Sequence, residues 1–352
     1  MTDLVTGRLD DPSREFVAAA GLSSRLKDIA RWIASRDIYD LASWIALLSL
    51  IVIALATFDD YAISNDEGVQ HHYGELIIAY YKSGFTVQSL FKLDNLYLYG
   101  GLFDVSLILL GHILPFDQYE LRHLVCALIG IGGIGVTAAT ARLIAGPRAG
   151  FFTVVALALC GSWYGTMFND TKGIPQATFM AAAIFFLFRA TRDLPKPRLR
   201  EVIGFGVTTG AALGIKSLSL LLVGYFEIAI LMSVPRPLIG HFRERAGFML
   251  TSTLHFQPAM VIAYVIMIGA WPWSALSPLN PIRGLLSFGD FHYHIRTVLF
   301  GKFYEMADVP RYIDPKAEMV IVRYASHPMA GNVANDPVTL PAYMAVAKAL
   351  MK

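Results

Sequence analysis

Long windows without a charged residue constrain this chain more than any other feature. The first, Leu41–Phe58, contains 18 consecutive uncharged residues. Over the whole chain 55% of the residues are hydrophobic and 16% are charged, whereas a soluble domain averages about 25% charged residues. A membrane-spanning helix needs about 20 predominantly apolar residues. The sequence therefore predicts an integral membrane protein of the all-α class.

Seven apolar windows, six without a charged residue and one, Ser217–Val234, with only Glu227, predict a polytopic helix bundle with about seven spans. The windows are Leu41–Phe58, Leu124–Ala141, Ala149–Phe168, Ile174–Phe188, Val202–Ile215, Ser217–Val234 and Gly247–Ala270. Three parts follow from this pattern. Residues 1–40 form a cytoplasmic segment with an amphipathic interfacial helix over Ser24–Trp44, residues 41–270 form the transmembrane bundle, and residues 271–352 form a polar segment on the outer face.

The distribution of arginine and lysine predicts the sidedness of the loops. Basic residues favour the cytoplasmic side, and they are concentrated before the first span and in the loops Arg189–Arg200 and Arg236–Arg245. Because the chain must cross the membrane an even number of times between those two loops, Lys216 is expected at a turn near the outer face. The alternative is one long tilted helix with Lys216 at mid-membrane. The same count of membrane crossings predicts that Tyr97–Leu114 does not cross the membrane. This stretch is therefore expected to lie along the outer interface as a juxtamembrane helix.

Charge and cysteine usage exclude other classes of protein. A net charge of +2 without a basic run containing aromatic residues argues against a nucleic-acid partner. The two cysteines lie in separate apolar runs, so they predict neither a disulfide framework nor a metal site.

An acidic pair, Asp66 and Glu67, follows the first span and is the strongest candidate for catalysis. A carboxylate at the boundary between water and lipid can accept a proton from a hydroxyl group. On a helix beginning near Asn65, the residues Asp66, Gln70 and Tyr73 share one face. The alternative is that the acids only begin a helix, with Asn65 as its cap and the two charges suiting the helix dipole.

The second outer loop holds a lysine in an unusual position. Asp170 can cap the helix that Pro175 begins, but Lys172 is a cation at a helix N-terminus, where the helix dipole disfavours it. Binding of a phosphate would explain this placement. Lys216 and Arg122 are further candidates for the same phosphate. The alternatives are snorkelling of the lysines to the interface and an interfacial anchor at Arg122-His123.

Three further features are weaker. His71, His72 and Glu75 are spaced for a metal patch but have no fourth ligand at a sensible spacing, so no metal site is predicted. Glu227 lies within a predicted span and is a functional candidate by default. Trp271-Pro272-Trp273 is typical of an aromatic belt at the outer end of the last span.

Together these residues resemble the GT-C superfamily of glycosyltransferases, whose donors are polyprenyl-phosphate sugars. The nearer branch resembles family 39, which includes protein O-mannosyltransferases and bacterial aminoarabinose transferases. The resemblance extends from about residue 41 to 315 and depends on the order of its motifs. These are Asn65–Gln70, Tyr97–Phe103, Arg122–Leu124, Phe168–Pro175, Trp271–Trp273, Val298–Tyr304 and Val309–Tyr312.

The resemblance implies an inverting transfer on the outer face of the membrane. Asp66 matches the catalytic base of the family, Glu67 is its acidic neighbour, and an acceptor hydroxyl would attack a sugar carried on a polyprenyl phosphate. Lys172, Lys216 and Arg122 would neutralise the leaving phosphate. Implied partners are membrane lipid, the lipid-linked sugar and a protein or glycolipid acceptor, in the bacterial inner (plasma) membrane. The requirement for a divalent metal is left open.

Three departures from the family pattern support other hypotheses. Gly173 stands where relatives carry an acid after the lysine, which leaves Asp170 to take that place. Lys216 stands where relatives often carry arginine. The polar segment Lys316–Lys352 replaces further spans, which predicts a truncated or aberrant product. The first alternative is therefore an inactive relative that only binds the lipid carrier, and the second is a membrane transporter, although no inverted repeat is found.

Overall fold

The computed structural model describes residues 36–287, except 65, 94 and 239, and residues 297–299, 302–304, 313–314 and 319–320. The described part of the chain contains thirteen α-helices. They are α1 (Ile38–Thr57), α2 (Glu67–Lys82), α3 (Leu102–Gly111), α4 (Gln118–Ala145), α5 (Pro147–Ala158), α6 (Gly161–Thr166), α7 (Gly173–Thr191), α8 (Leu199–Leu213), α9 (Leu221–Met232), α10 (Phe242–His255), α11 (Gln257–Ala270), α12 (Pro272–Leu276) and α13 (Asn280–Ser287).

Shorter elements connect these helices. Five 3₁₀ turns are Phe58–Asp60, Ser89–Lys92, Leu96–Leu98, Ser217–Leu220 and Arg236–Leu238. Two antiparallel hairpins pair β1 (Thr297–Leu299) with β2 (Lys302–Tyr304) and β3 (Ile313–Asp314) with β4 (Met319–Val320). The all-α prediction is confirmed for the helical body, and these short hairpins follow it in the chain.

Among the residues that the structure describes, three helical segments are long and apolar enough to cross a membrane: Ile38–Asp60, α4 and α7. A fourth span results if α10 and α11, which meet at an angle of 43°, are counted together. Pro258 at the start of α11 explains the bend, because proline cannot donate the backbone hydrogen bond that continues a helix. The predicted count of seven spans is not confirmed.

The difference arises where an apolar window is not one continuous helix. Ala149–Phe168 is divided between α5 and the six-residue α6, with a break at Leu159 and Cys160. The helix α8 has 15 residues and α9 has 12, below the roughly 17 that a span needs. An apolar composition therefore does not show where a helix is interrupted.

The bundle has two principal cores. One lies between α1, α4 and α5 and includes Leu50, Cys126 and Ile134, all buried. The other lies between α7, α8, α9 and α11 and includes Phe205 and Phe226.

Two contacts fix the directions of α7, α8 and α9. At one end of α7, Arg189 donates hydrogen bonds of 2.9 and 2.8 Å to Glu201 at the start of α8, so these helices are antiparallel. At the other end, Gln176 Nε2 donates to Ser219 Oγ over 3.2 Å. The chain therefore turns between α8 and α9 at Lys216, beside the start of α7. The predicted turn at Lys216 is confirmed, and the single long helix is wrong.

Predictions about residues 1–35, including most of the Ser24–Trp44 helix, and about most of 288–352 lie outside the described residues. The same holds for Asn65 as a helix cap. The ten-residue α3, near the middle of Tyr97–Leu114, is about 15 Å long and too short to span, as predicted.

Candidate functional site

A buried ionic network joins α2, α3, α4 and the loop before α7. At its centre Arg122 Nη2, from α4, donates to Asp104 Oδ1 over 2.8 Å, to Gln70 Oε1 over 3.0 Å and to Thr171 Oγ1 over 3.1 Å. Thr171 Oγ1 also donates to Gln70 Oε1 over 2.6 Å. Arg122 is completely buried, with its guanidinium 5.6 Å from the ring centre of Phe103. It is therefore not the interfacial anchor that was considered as an alternative.

Lys172 extends the network from the loop before α7. Its Nζ lies 3.2 Å from Asp104 Oδ2 and 3.4 Å from the carbonyl oxygen of Gly100. The ammonium also lies 5.7 Å from the ring centre of Tyr73 and 5.2 Å from that of Tyr99, where aromatic faces attract a cation. The residue is 8% exposed. Lys172 is thus held in the interior, so the snorkelling interpretation is wrong for it.

Lys216 approaches the same aromatic ring from the turn between α8 and α9. Its Nζ lies 5.9 Å from the ring centre of Tyr99. The residue is half-buried and has no ion pair within the described part of the chain. The two lysines predicted to bind phosphate therefore converge on Tyr99, although they are 44 positions apart in the sequence.

The loop Tyr99–Leu102 is fixed by the ends of two helices. Gly100 N and Leu102 N donate to the carbonyl oxygens of Ile215 and Gly214, over 3.1 and 3.0 Å, and Gly101 N donates to Ala270 O over 2.9 Å. The last carbonyl groups of a helix lack hydrogen-bond partners within that helix. The N–H groups of this loop supply such partners at the C-terminal ends of both α8 and α11. A Cβ atom at position 100 would lie 2.0 Å from Gly214 O, which explains a glycine there.

Glu67 and His123 form a second buried pair between α2 and α4. Glu67 Oε2 lies 3.0 Å from His123 Nε2, and Oε1 accepts a hydrogen bond of 2.8 Å from Ser64 N. Glu67 is 0% exposed and His123 is 2% exposed. The acidic pair is therefore divided: Glu67 faces the interior and Asp66 faces solvent.

Asp66 is the N-cap residue of α2 and is exposed. Its side chain makes no capping hydrogen bond, so the carboxylate is not used in starting the helix. The predicted face needs a correction, because Gln70 and Tyr73 share the buried face with Glu67 rather than with Asp66. The buried residues of α2 are Glu67, Gln70, Tyr73, Gly74, Ile77 and Tyr80.

Tyr73 belongs to this buried face as well as to a small core. Its hydroxyl donates to the carbonyl oxygen of Tyr99 over 3.0 Å. Burial raises the pKa of the Tyr73 phenol well above its ordinary value, so the group stays a neutral donor. Tyr73 therefore fixes Tyr99, the ring that the two lysines share.

Asp170 lies two positions before Lys172, the N-cap residue of α7, and its side chain bonds the first N–H group of the helix, which begins at Gly173 and not at Pro175. Its Oδ1 accepts a hydrogen bond of 2.7 Å from Gly173 N. A Cβ atom at position 173 would lie 2.3 Å from Asp170 Oδ2. The carboxylate of Asp170 therefore uses the space beside Gly173, and this accounts physically for the glycine in the loop.

Sequence reasoning missed several members of the network. Asp104 belongs to the stretch Tyr97–Leu114, which was predicted to lie along the outer interface, but its side chain is completely buried. Thr171 and Tyr99 were not singled out at all. The available signals were a lone aspartate within an apolar stretch and a threonine beside the lysine. The burial of Trp271 also contradicts the aromatic-belt interpretation, since its Nε1 donates to Tyr97 O over 2.8 Å.

The other candidates lie away from this network. Glu75 is within 3.7 Å of His71 and 3.1 Å of His72. Among the residues that the structure describes, no three histidine, cysteine or acidic side chains are grouped to hold a metal ion. Glu227 is exposed on α9.

The arrangement is suited to holding an anion. Arg122 and Lys172 carry two positive charges against the single carboxylate of Asp104, and Lys216 adds a third positive charge nearby. Within the described residues, Nε and Nη1 of Arg122 have no hydrogen-bond partner. Groups of this kind attract an anionic substrate and stabilise negative charge as it develops.

A family model described as Dolichyl-phosphate-mannose-protein mannosyltransferase matches residues 111–273, and this family is part of the GT-C superfamily. The match confirms the resemblance seen in the sequence. It includes Arg122, Lys172 and Lys216, and it begins after Asp66 and Asp104. No curated protein and no solved structure matches the chain.

Proposed function

With residues 111–273 identified as a region of the GT-C type, we propose that this membrane glycosyltransferase transfers a sugar from a polyprenyl phosphate to an acceptor hydroxyl. The acceptor belongs to a protein or a glycolipid. The reaction takes place on the outer face of a bacterial inner membrane, with the N-terminus in the cytoplasm.

The observation that carries this proposal is the division of the acidic pair. Asp66 is exposed at the N-cap of a helix whose first turns are tied to the buried side chains of His123 and Arg122, through Glu67 and Gln70. A free carboxylate is thereby attached to a rigid, positively charged frame. This combination suits a reaction that removes a proton at one point and releases a phosphate at another.

In the proposed mechanism Asp66 is the general base. Its carboxylate accepts the proton of the acceptor hydroxyl while that oxygen attacks the anomeric carbon. The bond between this carbon and the phosphate oxygen breaks, and the lipid phosphate leaves with the electron pair. A single displacement inverts the configuration at the anomeric carbon.

Lys172 and Lys216 neutralise the charge on the leaving phosphate. Their convergence on Tyr99 supports this role. Arg122 supports it from inside the network, where two of its nitrogens retain unused donors within the described residues.

The other predicted residues hold this frame in place. Glu67 fixes the start of α2 through Ser64 and His123, which orients the neighbouring Asp66. Gln70 and Tyr73 anchor the inner face of α2 to Arg122 and Tyr99. Asp170 fixes the start of α7 beside Lys172.

A transfer assay tests the proposed activity. Membranes from cells expressing the chain are incubated with mannose labelled on a polyprenyl phosphate, with other sugars on the same carrier, and with nucleotide sugars. Membranes without the chain are the control. We expect chain-dependent transfer from a lipid-phosphate donor, with release of the lipid phosphate. Use of nucleotide sugars alone would contradict the proposal.

The same preparation distinguishes the alternatives. A relative that only binds the carrier retains polyprenyl phosphate but produces no transfer. A transporter moves solute into sealed vesicles without forming a glycosidic bond. Repeating the assay with a chelator decides whether a divalent metal is required.

A further inference from the structure

We propose that Asp104 is a positioning residue that holds Lys172 in place for the phosphate of the lipid-linked donor. This inference deepens the proposed function and rests on it. Asp104 precedes the region matched by the family model, and it was not among the candidate residues from the sequence.

The carboxylate of Asp104 uses both oxygens to join two separate elements. Oδ1 accepts from Arg122 Nη2 on α4, over 2.8 Å, and Oδ2 accepts from Lys172 Nζ before α7, over 3.2 Å. The arginine distance of 2.8 Å is that of a charge-assisted hydrogen bond, and the lysine distance of 3.2 Å is at the upper end for an N–H···O hydrogen bond. Since Asp104 is itself on α3, three elements meet at one carboxylate.

Asp104 is needed because two cations are buried close to it. Arg122 is 0% exposed and Lys172 is 8% exposed, and unpaired buried charges are strongly unfavourable. One carboxylate shared by two cations leaves the triad with one net positive charge. The triad therefore keeps its attraction for an incoming anion.

The remaining contacts of Lys172 do not replace this carboxylate. Gly100 O is 3.4 Å away, and the rings of Tyr73 and Tyr99 attract the ammonium without directing an individual N–H bond. Asp104 therefore supplies the only carboxylate that restrains Lys172 among the described residues. Without it, the ammonium can shift away from the position that the phosphate requires.

The close packing of α3 on α2 fixes Asp104 in turn. A Cβ atom on Gly74 would lie 3.0 Å from Asp104 Cβ and 2.8 Å from Ile108 Cδ1. The absence of a side chain at Gly74 lets α3 approach α2 closely. The position of the carboxylate is thus set by backbone packing and not by a flexible loop.

The test measures binding of undecaprenyl phosphate to the full chain purified in detergent, with the alcohol undecaprenol as the control for chain binding alone. The variants are Asp104→Asn, Lys172→Met and the double variant. Asp104→Asn is expected to weaken phosphate binding by about tenfold, because Asp104 affects the phosphate only through the lysine that it holds. In the double variant, binding should be no weaker than with Lys172→Met alone, since Asp104 acts through Lys172.

Glu201→Gln is a matched control for a structural effect. Glu201 is also a buried carboxylate that bridges two cations, Arg189 and Arg200, but at the opposite end of α7. This variant is expected to lower the thermal midpoint while changing the dissociation constant by less than about twofold. Asp104→Glu, which keeps the charge but displaces it by one methylene group, should bind with intermediate affinity.

The results of these binding measurements distinguish a failure of the role proposed for Asp104 from a failure of the proposed function. Wild-type affinity in both Asp104 variants, together with weakened binding in Lys172→Met, would overturn the role of Asp104 and leave the proposed function intact. Equal weakening by Asp104→Asn and Glu201→Gln would also overturn it. A wild-type chain that does not distinguish the phosphate from the alcohol would instead contradict the proposed function.

Discussion

Glu67 Oε2 lies 3.0 Å from His123 Nε2, with both side chains buried and 56 positions apart in the sequence. An ionised carboxylate only accepts hydrogen bonds, so this geometry suits the tautomer of His123 that has its proton on Nε2. The contact ties the first turn of α2, and with it Asp66, to the start of α4. The exposed acid therefore depends on a buried neighbour for its position.

Replacing His123 by alanine tests the strength of this connection. The substitution removes one of the two hydrogen-bond partners of the buried Glu67 carboxylate and leaves only Ser64 N, which is expected to cost about 1–3 kcal/mol of stability. The measurement is the thermal midpoint of the detergent-solubilised protein. Asp40→Asn is the control, because it breaks the Arg142–Asp40 pair in which the arginine is 50% exposed, and surface pairs contribute about 0–1 kcal/mol. Equal shifts in the two variants would contradict the importance assigned to the buried pair.

Gly100→Ala tests the docking of the Tyr99–Leu102 loop on the ends of two helices. The added methyl group would lie 2.0 Å from Gly214 O, so the loop must move, at an expected cost of about 1–3 kcal/mol. Since Tyr99 is the ring shared by Lys172 and Lys216, phosphate binding should weaken as well. The control is Gly132→Ala, since a Cβ at that helical position meets no atom within 4 Å and alanine favours a helix. Unchanged stability in Gly100→Ala would show that the loop is not fixed in this way.

A double-mutant cycle tests whether Asp170 and Gly173 are coupled. Gly173→Ala displaces the Asp170 carboxylate and breaks its hydrogen bond to Gly173 N, with an expected loss of about 1 kcal/mol. In an Asp170→Ala background the same substitution should cost much less, because the cap has already been removed. Thermal midpoints of the four proteins give the coupling, and additive effects would argue against it.

The sequence predicted the two lysines of the site better than it predicted the helices that carry them. Lys172 was identifiable because its charge opposes the dipole of the helix that it precedes. Lys216 was placed at a turn because the chain must cross the membrane an even number of times between two cytoplasmic basic loops. Both inferences depend on local sequence or on charge counting. The break in Ala149–Phe168 and the bend at Pro258 were missed because apolar windows report composition and not helix continuity.

The partners of the site residues were largely unpredictable from the sequence. Asp104 pairs with residues 18 and 68 positions away, and no periodicity within α3 indicates such contacts. Trp271 was assigned to the membrane interface because tryptophan is common there, but packing against Tyr97 and α13 buries it. Burial of a polar or aromatic side chain depends on which helices meet, and this requires the three-dimensional structure.

The most direct test of the account is the rate of sugar transfer by Asp66→Asn compared with Asp60→Asn. Both residues are exposed acids in the segment after α1, but only Asp66 is the proposed general base. General-base catalysis contributes typically about 10²–10⁴-fold, so Asp66→Asn should reduce kcat by at least about 100-fold with an unchanged thermal midpoint, while Asp60→Asn retains activity. Transfer by Asp66→Asn at the wild-type rate would contradict the proposed mechanism.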